Sequence, residues 1–108
     1  MKVINLINRI IRKIKLRSLN FLKRGTNLSI IDFPIYLLNN NVSLGDNVVL
    51  YPNITFFGQG NIYLGNNIKI GNNVIINATK GSFVKIGDNV SIAANTYIID
   101  CNDNTRGD

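Results

Sequence analysis

The chain has 108 residues, which fits one small domain, and its hydrophobic fraction of 45% is typical of a globular protein. It contains no histidine and a single cysteine, Cys101, which excludes histidine metal sites, a histidine general base and an internal disulfide, and fits a reducing compartment. The net charge of +6 is uneven, because residues 1–24 hold eight of the twelve Lys and Arg residues and no acid, whereas the rest of the chain sums to −2.

The first predicted element is an amphipathic, basic α-helix. Its apolar residues recur at intervals of three and four, as at Val3, Ile7, Ile10 and Ile14. Basic residues, among them Arg9 and Arg12, fall on the opposite face. Gly25 is a suitable stop. We therefore predict a helix over roughly residues 2–23, within an N-terminal segment of residues 1–25.

Three partners are compatible with the apolar face of this helix. The plainest is protein: the side or end of the body, or the same helix in another subunit. The second is a membrane surface, since a cationic face opposite Ile and Leu suits anionic lipid. Nucleic acid is the least favoured, because the segment lacks interleaved aromatic residues and the body has no basic stripe.

No stretch of the sequence has the composition of a transmembrane helix, since the longest uncharged run, residues 47–68, is interrupted by Asn, Pro and Gly. The N-terminus also lacks the uninterrupted apolar core and small-residue cleavage site of a secretory signal. The sequence therefore predicts a cytoplasmic protein, with peripheral contact at the inner membrane face through residues 2–23 as the variant.

The body, residues 26–108, contains a short repeated motif. The pattern [VI]-x-[LI]-G-[DN]-N-[VI] matches residues 42–48, 62–68, 68–74 and 84–90. Extension by sixes places aliphatic or aromatic residues at regular positions, with shifts of phase at 58–61 and 79–83, where glycine-containing loops could absorb them. A six-residue repeat is typical of a parallel β-helix.

The residue types of the repeat explain this fold. The first aliphatic residue and the one four positions later point inward, glycine lies beside a tight corner, and Asn or Asp tolerates the left-handed backbone of the turn. Three sixes would give a triangular coil of about 18 residues. The predicted stacking pairs are Leu44 with Ile62, Leu50 with Ile68, and Ile68 with Ile86. The Asp and Asn residues of the corners are predicted to be turn residues rather than ligands.

With these motifs the chain resembles the hexapeptide-repeat acyltransferases, which are left-handed parallel β-helices, over about Asn41–Asp108. A hydrophobic, basic helix followed by "SLGDNVVLYPN" and "KIGDNVSIAANTYIID" is most similar to the bacterial branch that O-acetylates sugars of surface polysaccharides. The resemblance implies left-handed winding, a homotrimer, acetyl-CoA as co-substrate without a metal, and a sugar acceptor in capsule, lipopolysaccharide or exopolysaccharide biosynthesis.

The resemblance also locates candidate catalytic residues. Where this branch commonly reads Asp-x-Asn/Asp-His-Gly, the chain reads "DCNDN" from Asp100 to Asn104. Asp103 occupies the position expected for the general-base histidine, and Asp100 and Asn102 match the pattern and are expected to orient the substrate or the base. A carboxylate with a pKa of about 3.9 is a weaker base than imidazole, so this departure predicts weak or absent activity.

A non-catalytic function is the second interpretation. The chain would then be a β-helix scaffold or a truncated remnant that trimerises, or binds a membrane surface, through its N-terminal helix. Residues 28–108 supply about four and a half coils, fewer than the family usually has, so the body is expected to be shortened at its C-terminal end. The candidates for contacts with the phosphates of acetyl-CoA are the basic residues of the body: Lys69, Lys80, Lys85 and Arg106.

Overall fold

A computed structural model describes residues 23–100, which form twelve short β-strands wound into four coils and contain no helix. The first coil contains β1 (Lys23–Arg24), β2 (Leu28–Ile30) and β3 (Ile35–Leu38). The second contains β4 (Val42–Leu44), β5 (Val48–Leu50) and β6 (Ile54–Phe57). The third contains β7 (Asn61–Leu64), β8 (Ile68–Ile70) and β9 (Ile75–Asn77). The fourth contains β10 (Phe83–Ile86), β11 (Ser91–Ile92) and β12 (Tyr97–Ile99).

The coils stack into three parallel sheets of four strands each. Sheet A has the order β1-β4-β7-β10, sheet B the order β2-β5-β8-β11, and sheet C the order β3-β6-β9-β12. Every strand pair is parallel. The predicted all-β parallel solenoid is therefore confirmed. The predicted helix lies outside the described residues except at its end, where Lys23 and Arg24 form β1.

The interior of the solenoid is a column of aliphatic residues with one aromatic. Alternation along each strand turns every second side chain inward, and Leu50, Phe56, Ile62 and Ile76 are completely buried. Leu44 and Ile68, predicted to face inward, are also buried, and Ile86 is half-buried against the same core. Each fully buried side chain of this kind stabilises a fold by about 1.5–3 kcal/mol, so the core is the main source of stability.

The predicted stacking of residues 18 apart is wrong. Val42 pairs with Ile62 and Leu50 with Ile70, which are 20 residues apart. Ile62 pairs with Val84, which is 22 residues on. The coils are longer than three sixes because the corner between sheets C and A carries additional residues, and these lie at the two places where the sequence pattern changes phase. The described body therefore makes four coils from residues 23–100.

The corner between sheets A and B is built by the repeated motif. Its second asparagine has a positive φ in each copy: 58° at Asn47, 59° at Asn67 and 60° at Asn89. The same side chains form a ladder along the stack, since Asn47 Nδ2 donates to Asn67 Oδ1 at 3.1 Å and Asn67 Nδ2 donates to Asn89 Oδ1 at 2.9 Å. The prediction that these residues form turns is confirmed.

One copy of this corner was missed in the sequence because it is degenerate. In "RGTNL", Thr26 replaces the Asp or Asn that follows glycine, and Asn27 has a φ of 61° like its counterparts. Thr26 N donates to Asp46 Oδ1 at 2.8 Å, and Asn27 Nδ2 donates to Asn47 Oδ1 at 2.9 Å. Gly25, predicted to stop a helix, is therefore the corner glycine of the first coil.

Candidate functional site

The one predicted catalytic residue within the described range is Asp100, which directly follows β12. Asp103 and Asn102 lie outside the described residues, as does Cys101. Asp100 lies at the corner between sheets C and A, where its backbone N–H donates to Asn77 O at 3.3 Å. This position faces the loop that follows β9 in the coil below, and the site is best described from that loop.

The loop after β9 contains a turn at residues 79–82, in which Ser82 N donates to Thr79 O at 3.0 Å. Gly81 has a φ of 80°, a conformation that most other residues adopt at a cost. The turn brings the hydroxyl and amide groups of Thr79 and the hydroxyl of Ser82 towards the end of β12. The insertion that lengthens the fourth coil therefore also forms the binding partner of Asp100.

Both carboxylate oxygens of Asp100 accept hydrogen bonds from this loop. Thr79 N donates to Oδ1 at 2.7 Å, and Thr79 Oγ1 donates to Oδ2 at 2.8 Å. The hydrogen bond from the Ser82 hydroxyl is the largest influence on the pKa of Asp100, which is lowered; partial burial opposes it, and the hydrogen bonds from Thr79 reinforce it. Asp100 is therefore an ionised acceptor that links the third and fourth coils, and a lowered pKa makes it a weak proton acceptor.

Asn39 performs a comparable task at the first such corner and is the one buried polar residue of the described chain. Its Nδ2 donates to Phe57 O at 3.1 Å and to Gly60 O at 3.0 Å, while its Oδ1 accepts from Asn41 N at 2.7 Å. The sequence analysis did not single out this residue. The run of three asparagines at 39–41, placed between two strands, was the signal.

The basic residues considered for the phosphates of acetyl-CoA are not brought together. Lys69 points outward from β8 in sheet B, whereas Lys85 points outward from β10 in sheet A. Lys80 lies in the loop after β9, and Arg106 lies outside the described residues. The described coils of one chain therefore supply no cluster of these cations, and a site for several phosphates would need residues 101–108 or another copy.

Sheet A has a shallow groove on its outer face, with a volume of about 150 Å³, between the first and third coils. Lys23, Asn41, Ser43, Asn61 and Tyr63 line it, together with Asn40 and Val42. A wider and more open depression continues past Tyr63 to Phe83 and Lys85. Asp100 lines neither, so the residue carried over from the resemblance and the concave surface of the described coils are separate features.

Two further properties concern residues 23–100 only. They contain no group of three or more His, Cys, Asp or Glu residues arranged to hold a metal ion. Within the same range no helix has the length and apolarity to cross a membrane. All buried side-chain nitrogen and oxygen atoms in this part of the chain have a hydrogen-bond partner, which is the pattern of a satisfied framework.

The described residues thus define a three-sided parallel β-solenoid whose corners are held by asparagine ladders and by Asn39 and Asp100. Searches against protein-family models, curated proteins and solved structures returned no match.

Proposed function

We propose that this chain is a hexapeptide-repeat acyltransferase of left-handed winding, which transfers an acetyl group from acetyl-CoA to a sugar hydroxyl in capsule, lipopolysaccharide or exopolysaccharide biosynthesis. The observation that carries the proposal is the three-sided parallel solenoid with Gly–Asx–Asn corners, which is the body that the sequence resemblance implies. The proposal places the protein in the cytoplasm as a homotrimer, so that neighbouring solenoids can form the co-substrate site together.

The proposed chemistry uses the segment that begins at Asp100. Asp103 accepts the proton of the sugar hydroxyl, and the resulting alkoxide attacks the thioester carbonyl of acetyl-CoA. The carbon–sulfur bond breaks, the acetyl group remains on the sugar oxygen, and the proton passes to the CoA sulfur. Asn102 orients the acceptor, and Asp100 fixes the start of the segment through its bonds to Thr79.

A carboxylate base makes this a slow enzyme, which gives a sharp test. A positioned base contributes about 10²–10⁴-fold to a rate, and its efficiency is greatest when its pKa lies near the working pH. We expect Asp103→His in the full chain to raise the rate of acetyl transfer to a panel of sugars at neutral pH, and Asp103→Ala to abolish transfer. Calorimetric titration with acetyl-CoA should give binding in all three proteins.

A second candidate function is a non-catalytic scaffold that trimerises, or contacts a membrane surface through its N-terminal segment. It is favoured by the absence of histidine from the whole sequence and by the full engagement of the Asp100 carboxylate. The same experiments separate the two functions. A trimer by light scattering that neither binds acetyl-CoA nor acetylates a sugar, with Asp103 or with histidine at this position, would establish the scaffold and exclude the enzyme.

A further inference from the structure

Sheet C has an apolar outer face that no described residue covers. The outward side chains of its strands form two columns in register, Tyr36–Thr55–Ile75–Tyr97 and Leu38–Phe57–Asn77–Ile99. Leu38 is 60% exposed, Phe57 46%, Tyr97 57% and Ile99 51%. We call this surface the C face. Its two polar members interrupt it little, because Asn77 Nδ2 donates to the Tyr97 hydroxyl at 3.2 Å within the face.

The other two outer faces differ in composition from the C face. The outward residues at the centre of sheet B are Ser29, Val49, Lys69 and Ser91. Those of sheet A are Lys23, Ser43, Tyr63 and Lys85. The C face alone has no charged outward side chain on its strands. A contiguous exposed apolar patch of this kind marks a surface that another element covers.

We propose that residues 3–22 of the same chain cover the C face, with their apolar side packed against it and their basic side in solvent. The segment has a suitable composition, because residues 3–14 include seven aliphatic side chains, which are Val3, Ile4, Leu6, Ile7, Ile10, Ile11 and Ile14. The proposal is independent of acetyl transfer and applies to the enzyme and to the scaffold alike.

The dimensions of the segment and of the face agree. Residues 3–14 as a helix extend about 18 Å, and the four strands of sheet C, spaced at about 4.8 Å, extend about 14 Å between the outer two. A strand of four residues is about 13 Å long, and a helix with its side chains is about 10–12 Å wide. One helix parallel to the solenoid axis therefore fits one face, and residues 15–22 remain for the connection.

The point of entry favours this face over the other two. The chain reaches sheet A from sheet C in every described coil, through the corners between β3 and β4, β6 and β7, and β9 and β10. Lys23 begins β1 at the same edge of sheet A, so the preceding residues meet the border of sheet C first. Since residues 1–24 have a charge of +8, a face without lysine also avoids like-charge repulsion.

Disulfide trapping in the full chain tests the proposal. In a Cys101→Ser background, Ile7→Cys is combined with Thr55→Cys on the C face, with Val49→Cys on sheet B, or with Ser43→Cys on sheet A. These three positions are matched, since each is half-buried and points outward from the second coil. Under mild oxidation we expect the Thr55 pair to form a disulfide within one chain at least tenfold faster than either control pair.

Two results of this experiment would overturn the proposal. Equal rates in the three pairs would mean that the segment has no preference for the C face. Cross-linked dimers or trimers from the Thr55 pair, seen on non-reducing gels at every protein concentration, would mean that a second copy supplies the segment or the cover.

A charge substitution separates the C face from a membrane as the partner of the segment. Phe57→Asp should release the segment, raise the rate of tryptic cleavage at Lys13 and Lys15 at least fivefold, and increase binding to vesicles of phosphatidylcholine and phosphatidylglycerol. Phe83→Asp, at a position 60% exposed on sheet A, is the control and should change neither. Strong vesicle binding by the unmodified chain that Phe57→Asp leaves unchanged would assign the segment to the membrane and contradict the proposal.

Discussion

The side-chain oxygen of Asn66 accepts a 2.7 Å hydrogen bond from the backbone N–H of Asp46, and this contact occupies the space that a side chain at position 45 would need. A Cβ atom on Gly45 would overlap Asn66 Oδ1 and lie 2.5 Å from Gly65 O. Glycine is thus required here by the close approach of the next coil, because both partners are held in the ladder of the corner.

Gly45→Ala should therefore destabilise the protein. Insertion of atoms into a closely packed position forces backbone shifts and costs about 1–3 kcal/mol, so we expect the free energy of unfolding in urea to fall by that amount. Gly87→Ala is the matched control, since it occupies the same motif position in the fourth coil and an added Cβ meets nothing within 4 Å. It should change stability by less than about 1 kcal/mol. Equal losses in the two variants would contradict the close-approach explanation.

Asn39→Ala should also destabilise the protein, through lost hydrogen bonds rather than overlap. The substitution leaves the carbonyl groups of Phe57 and Gly60 and the N–H of Asn41 without their partner. An unsatisfied buried polar group costs about 1–3 kcal/mol, so we expect a loss of about 2–3 kcal/mol in urea denaturation.

The neighbouring Asn40 provides the control for this prediction. Its side chain is exposed, and Asn40→Ala should change stability by less than about 0.5 kcal/mol. Hydrogen exchange gives a local measurement: the Asn41 amide should lose protection in Asn39→Ala and keep it in Asn40→Ala. Unchanged protection in Asn39→Ala would show that the Asn39 side chain does not hold this corner.

The inward residues and the turns could be predicted from the sequence because both depend on local rules. Leu44 and Val48 flank a glycine and an asparagine, and this spacing alone places the aliphatic residues inside and the left-handed residue at the corner. The rule is satisfied within a few positions of chain, so no knowledge of the neighbouring coil is needed. The same local rule failed to detect "RGTNL" because basic Arg24 and neutral Thr26 fall outside the pattern.

The register between coils could not be predicted in the same way. It depends on how many residues the corner between sheets C and A accommodates, and Gly58 and Gly60 permit a close approach to the next coil that the repeat does not encode. The braces at Asn39 and Asp100 were not derivable from residue spacing either, because each contacts residues 18–21 positions away. Asp100 was singled out only through the family resemblance, with a different function.

The Asp100 brace should give the protein a specific sensitivity to acid. Because the pKa of Asp100 in the folded state is lowered from its ordinary value of 3.8, its contribution to stability is present above about pH 4 and is lost as pH falls through the lower, folded-state value. The difference in unfolding free energy between the unmodified protein and Asp100→Asn should therefore be constant at neutral pH and decrease below pH 4. The measurement is urea denaturation of both proteins from pH 2.5 to 7.

Ser82→Ala tests the cause of this lowered pKa. The Ser82 hydroxyl is its largest determinant, so the variant should show a smaller acid dependence than the unmodified protein. Ser91→Ala, an exposed serine on the outer face of β11, should leave the dependence unchanged. An acid dependence that survives intact in Ser82→Ala would place the origin of the shift in Thr79 alone.

Asn67 serves the corner through both its backbone conformation and its side chain, and two substitutions separate these contributions. Its φ is 59°, which costs a non-glycine residue such as alanine about 1–2 kcal/mol, and its amide group lies in the ladder between Asn47 and Asn89. Asn67→Ala loses the ladder and gains strain, whereas Asn67→Gly loses the ladder and adopts the conformation readily. We expect Asn67→Ala to lower the unfolding free energy by about 2 kcal/mol and Asn67→Gly by about 1 kcal/mol or less. If glycine were as destabilising as alanine in urea denaturation, the ladder rather than the left-handed backbone would be the reason for asparagine at this corner.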